Sequence, residues 1–175
     1  MRIGHNGGPP LDMSWNAWAW RRAHADAWKS PGREIVALRL RRAVRLGLGY
    51  KDYTSVILDR GVHLAGLIIV IDGDVLANEA AVLKKLATLN DCAVMLCSIG
   101  CALPLRYALF ATQAVETPDD HSAAVADAIQ TLRKLSTLPP AQICMVGTRP
   151  DHAREAARAG LGLFVRAGAY FDVPL

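Results

Sequence analysis

Two hydrophobic periodicities divide the chain near residue 66. Before it, apolar residues recur at helical intervals; after it, short unbroken aliphatic runs alternate with amphipathic stretches. In the first part, residues 14–29 read as a helix with Ser14 as N-cap. A second helix over 32–46 is entered through Ser30-Pro31 and closed by Gly47, and a third over 50–60 ends at Gly61. The second helix is two-faced. Ile35, Val36, Leu40, Ala43, Val44 and Leu46 form an apolar arc, with Arg41, Arg42 and Arg45 opposite and Glu34 among them. Residues 1–13, with Gly7-Gly8 and Pro9-Pro10, read as a flexible arm.

In the second part, the aliphatic run Leu67-Ile68-Ile69-Val70-Ile71 leads into Asp72-Gly73-Asp74. A short run without alternation suits a strand covered on both faces. A helix over 78–89 follows, then a strand over 92–98, a connection punctuated by Gly and Pro, and a strand or short helix near 107–112. A helix over 119–135, a strand over 142–146, a helix over 150–159 and a strand over 161–165 complete the succession. This order predicts the α/β class: a three-layer, Rossmann-like parallel sheet over residues 66–171, preceded by a small basic helical region over 14–61. Ligands of such sheets gather beyond the carboxyl ends of the strands. Asp72 and Asp74 fall there.

Composition narrows the class. Of 175 residues, 52% are hydrophobic and 21% charged, which is the balance of a globular protein with room for one substantial core. Apolar runs stop short of the roughly 20 residues that span a bilayer, and no basic-then-apolar leader opens the chain, so no membrane partner and a cytoplasmic location are expected. Cys92, Cys97, Cys101 and Cys144 form no C-x-x-C pair and the five histidines no H-x-x-x-H pair, so free thiols are expected and no zinc site.

The net charge of +4 is unevenly placed. Residues 1–60 hold 11 Lys/Arg against 5 Asp/Glu, and residues 61–175 hold 9 against 11. The basic first third fits either an acidic partner (nucleic acid, an anionic surface or an acidic protein) or a solvated arginine face. All four tryptophans lie in the first helix, spread round its axis. One face can pack at home, and the others, Trp15 and Trp18 included, need a second surface, either a partner or a neighbouring element. The glycine turn between the second and third helices is of the kind found in helix-turn-helix units, which makes Arg41, Arg42 and Arg45 candidate phosphate contacts.

Four places in the α/β part sit where chemistry would gather. They are Asp72-Gly73-Asp74 after the first strand; Ser98 at the end of the second; Thr117-Pro118-Asp119; and Gly147-Thr148-Arg149-Pro150-Asp151-His152, followed by Glu155-Ala156-Ala157-Arg158-Ala159-Gly160. Their order over residues 66–171 resembles the haloacid dehalogenase-like superfamily of phosphatases and related phosphoryl-transfer enzymes, in a divergent and capless form with an N-terminal helical extension. The resemblance implies Asp72 as nucleophile, Asp74 as general acid/base, and Ser98 and Thr117 at the phosphate-binding positions. It also implies magnesium held by Asp72, Asp74 and Asp151, unless His152 takes the last position. Adjacent strand-end carboxylates suit that chemistry, one attacking phosphorus while the other moves the leaving-group proton.

The departures from the family pattern fall on charged positions. Thr117 stands for the family's lysine, Thr148 for its first metal-binding acid, and Val75-Leu76 for its usual Gly-Thr. Phosphoryl transfer is mostly positioning and electrostatics, and the loss of one such group often costs about two to three powers of ten in rate. Arg149, Arg133 and Lys134 are the cations near enough in sequence to substitute. Only 23 residues separate Asp74 from Ser98 and 18 separate Ser98 from Thr117, which leaves no room for a cap domain.

Three functions follow as expectations. The first is a catalytically degraded domain of this superfamily, acting as a binding or regulatory protein through its basic helical region, toward a protein partner or a second copy of itself. In it, Asp72 and Asp74 cap amides or sit in water. The second is a working magnesium-dependent phosphohydrolase. The third is a nucleic-acid-binding regulator using Arg41, Arg42 and Arg45. Outside the superfamily, the same α/β class would place an anion at the helix start near Arg149.

Overall fold

In a computed structural model, the strand Gly66–Ile71 (β1) is buried at all six of its positions. It lies between two parallel neighbours, Ala93–Ile99 (β2) and Ile143–Gly147 (β4), so both its edges are hydrogen-bonded as well as both its faces covered. Gln113–Thr117 (β3) pairs with β2 and Leu163–Arg166 (β5) with β4, giving a five-stranded, all-parallel sheet in the order β3-β2-β1-β4-β5. The structure describes residues 15–28, 31–89, 91–117 and 122–173. The expected flexible arm over 1–13, the N-cap at Ser14 and the start of the helix at Asp119 lie outside them.

The side-chain period of two sends alternate residues of β1 to opposite faces. Leu67, Ile69 and Ile71 pack with Tyr53 and Val56 of Tyr50–Arg60 (α3), Val82 and Leu86 of Glu79–Leu86 (α5), and Tyr170 and Phe171 of Ala167–Phe171 (α9). Ile68 and Val70 pack with Val125, Ile129 and Leu132 of Ser122–Leu135 (α7) and Ala156 of Pro150–Arg158 (α8). The result is the predicted three-layer, Rossmann-like α/β fold. No helix among the described residues is long and apolar enough to cross a membrane.

The described residues form two compact units, one up to Leu38 and one from Arg39 onward. The boundary falls inside the helix Arg33–Arg45 (α2), so the end of α2 and all of α3 belong with the sheet. In the first unit, the helix Trp15–Trp28 (α1) brings the Trp15 and Trp18 rings to 5.0 Å, with the Arg22 guanidinium 5.2 Å from the Trp18 ring centre.

The predicted apolar arc of α2 is buried only at its last turn. Ala43 and Leu46 enter the core, whereas Ile35, Leu40 and Val44 are exposed. Amphipathic spacing names a face that wants cover; within the second unit, that cover is given to Ala43 and Leu46 but not to Leu40 and Val44. Gly47 then turns the chain at φ +63°, and the Tyr170 hydroxyl donates to the Leu46 carbonyl at 2.8 Å.

Two elements differ from the sequence reading. The stretch near 107–112 holds the short helix Leu105–Ala108 (α6), and a strand follows at Gln113–Thr117 where none was expected. β3 is a sheet edge with alternating half-buried and exposed positions, so it lacks the aliphatic run by which the central strands announce themselves. After β1 the chain also makes the one-turn helix Gly73–Ala77 (α4) before α5 begins.

A Cβ at Gly47 would lie 2.7 Å from the Lys85 Cε and 2.9 Å from the Tyr170 hydroxyl, in a left-handed backbone conformation. Gly47→Ala is therefore expected to lower stability by about 1–3 kcal/mol in urea denaturation. Gly73 has nothing within 4 Å of that position, and Gly73→Ala should stay within about 0.5 kcal/mol of wild type.

Candidate functional site

The sheet order reverses direction between β1 and β4, and the crevice at the carboxyl ends of these two strands is where an open α/β sheet takes its ligands. Asp72 leaves β1 with extended backbone and serves as N-cap of α4, its Oδ1 accepting from the Val75 N–H at 3.1 Å. From the other side of the crevice, the Thr148 hydroxyl donates to Asp72 Oδ2 through a short hydrogen bond. Both carboxylate oxygens are thus engaged inside the protein. Asp74 is exposed in the first turn of α4, and its carbonyl accepts from the Asn78 amide at 3.2 Å.

Ser98 lies beside Ile71 in the register of β1 and β2 and is fully buried. Its hydroxyl donates to the Cys101 carbonyl at 2.5 Å, closing the turn that leaves β2, with the Cys101 thiol 3.3 Å away. The hydrogen that a phosphate would need is spent there. Thr117 ends β3, two strands from β1, which at the usual spacing puts it about 10 Å from the Asp72 backbone. Of the strand-end positions, the structure brings Asp72, Ser98 and Thr148 to neighbouring strands and leaves Thr117 at the edge.

At the start of α8, Asp151 is held by Arg149, whose Nε is 3.4 Å from its Oδ1. His152 is fully buried, and its Nδ1 accepts from the Arg149 backbone N–H at 3.4 Å. That role assigns the ring hydrogen to Nε2, a buried donor with no partner among the described residues. Burial and the Arg149 charge lower the His152 pKa against the pull of Asp151 and Asp72. The two residues open for the last metal position are therefore an ion-paired carboxylate and an inward-turned neutral ring.

This donor set does not fit magnesium. The ion takes oxygen ligands in near-octahedral geometry, usually with one or two carboxylates free to bind it. Here Asp72 is occupied twice, Thr148 carries no charge, and among the described residues no three His, Cys, Asp or Glu side chains converge. Arg149, which follows β4, and Arg166, which ends β5, are cations at the carboxyl end of the sheet. Arg133 donates instead to Gln130 on its own helix, at 3.0 Å.

The basic residues lie elsewhere. Arg41 is exposed, while Arg42 and Arg45 line a cleft at the amino ends of β1, β2 and β4 together with His63, which the sequence reading did not single out. The spacing of Arg42 and Arg45 places them on one side of α2, and His63 falls in the polar gap before β1; those were the available signals. On α1, Trp15 is 61% exposed and Trp18 half-buried. All four cysteines are free. Cys97 and Cys144 are buried, with burial pushing Cys97 up to about 12, whereas Cys92 and Cys101 are only half-buried.

No protein-family model and no curated protein sequence matches the chain. Among solved structures, an uncharacterized protein from Corynebacterium glutamicum is similar to it at a TM-score of 0.41 and 16% identity, over 64% of this chain and 98% of that one. The fold assignment rests on the parallel sheet itself.

The buried His152 generates a pH dependence. Its folded pKa lies below the ordinary 6.5, so between the two values the unfolded chain binds more protons and stability falls as pH drops. The contribution is full above about pH 6.5 and is lost as pH falls through the folded value. Urea titrations from pH 8 to 5 should show wild type losing more stability than His152→Gln. The shift at His63 has the same sign but is common to both proteins.

Proposed function

We propose that this chain is a divergent member of the haloacid dehalogenase-like superfamily whose phosphoryl-transfer site has closed on itself, and that it works as a binding protein. The observation that carries the reading is the double engagement of Asp72, by the Val75 N–H and the Thr148 hydroxyl. A nucleophile needs a free oxygen facing phosphorus, with positive charge placed to take up what develops there. The threonine that replaces the family's acid spends its hydroxyl holding the would-be nucleophile in place. Ser98 is committed to Cys101 in the same way, and the lysine position is an uncharged threonine on an edge strand.

The binding role is assigned to the helical N-terminal part. Trp15 and Trp20 each expose more than 60% of their surface on a helix followed by the basic end of α2. Large exposed aromatic residues, here on a helix that also carries Arg21 and Arg22, are characteristic of surfaces that meet a partner.

The test is hydrolysis of para-nitrophenyl phosphate with magnesium, comparing wild type with Asp72→Asn. Equal rates, within about twofold, are expected. A wild-type rate roughly tenfold or more above that of Asp72→Asn would establish the working phosphohydrolase and overturn the proposal.

A further inference from the structure

The amino ends of β1, β2 and β4 open into a cleft of about 460 Å³, at the opposite end of the sheet from Asp72. Small-molecule sites occupy about 300–1,000 Å³. Its wall carries Arg42, Arg45 and His63, and the one carboxylate among its described lining residues is Asp91. Asp91 does not neutralise the wall. It stands 3.8 Å from Arg45, with side chains 77% and 55% exposed, and so loose a pair in water contributes little.

The cationic side is organised from beneath by a buried tyrosine. Tyr53 is fully buried with the Arg42 and Arg39 charges acting on it, and its hydroxyl lies 3.1 Å from His63 Nδ1. In the tautomer whose Nδ1 accepts from the Tyr53 hydroxyl, His63 keeps Nε2–H as a third donor in the wall. The Tyr53 and His63 rings are also stacked, with centroids 6.3 Å apart. Burial, then Arg42, then Arg39 lower the His63 pKa, so the ring stays neutral in a field of accumulated positive charge.

Arg39, Arg42 and Arg45 follow one another at three-residue spacing, an arrangement that places like charges on one side of a helix and costs stability. A bound anion would offset that cost. We propose that this cleft is a binding site for a small phosphate-bearing anion, held by the guanidinium groups of Arg42 and Arg45 with His63 donating a neutral hydrogen bond. Guanidinium groups suit the task because their planar forks match phosphate oxygens in pairs. The concave shape fits a small ligand, and the cleft is independent of the strand-end acids.

Titration calorimetry of the full chain with inorganic pyrophosphate and with adenosine 5′-monophosphate tests it. Saturable binding tighter than about 1 mM is expected with at least one, weakening several-fold from about 50 to 300 mM salt. Arg42→Gln and Arg45→Gln should each weaken it about tenfold, while Arg41→Gln and Asp72→Asn leave it unchanged. Arg45 is exposed, so its variant carries the test if loss of the Arg42 charge disturbs folding. Absence of saturable binding, or equal loss in Arg41→Gln, overturns the proposal. So does tighter binding of a single-stranded oligonucleotide through Arg42 and Arg45, which would make the site a nucleic-acid surface.

Discussion

The burial of β1 on both faces and both edges is the constraint from which the rest follows. A strand with parallel neighbours on either side and apolar clusters packed on both faces leaves little place for polar chemistry along its length. Polar groups are therefore driven to its two ends. They meet different fates there.

At the carboxyl end, the polar groups satisfy one another. Asp72 binds Val75 and Thr148, Ser98 binds Cys101, and Asp151 pairs with Arg149, whose backbone N–H is taken by His152. Catalytic electrostatics depends on donors and charges held ready for a group that develops charge only in the transition state. Here those groups already have partners within the protein. The His152 Nε2–H, buried in α8, has no hydrogen-bond partner among the described residues. At the amino end, like charges accumulate around Arg42 and Arg45, and among the described lining residues Asp91 is the carboxylate that answers them. Charge is thus paired at the carboxyl end of the sheet and accumulates at the amino end.

Much of this was legible in the residues, and for identifiable reasons. Aliphatic runs at 67–71, 92–98 and 142–146 mark the three central strands, because only a strand covered on both faces tolerates them. Gly47 and Gly61 mark helix ends because each takes the left-handed conformation there. β3 was hidden by its place at the edge, where Glu116 and Thr117 need no apolar neighbours. The arc of α2 misled in the opposite direction: spacing states which residues could be covered together, and Leu40 and Val44 are not.

The sequence by itself determined the class of the fold, the strand-end position of Asp72, and the uncharged side chains at Thr117 and Thr148. Each depends on local pattern and residue chemistry alone. Tertiary structure decided the hydrogen bonds: that Thr148 reaches across the switch point to Asp72, that Ser98 turns back on Cys101, and that Tyr53 meets His63. Thr148 is 76 residues from Asp72 along the chain, and the two meet only because β4 inserts beside β1. A hydrogen bond is a statement about distance in space, and no spacing along a chain contains it.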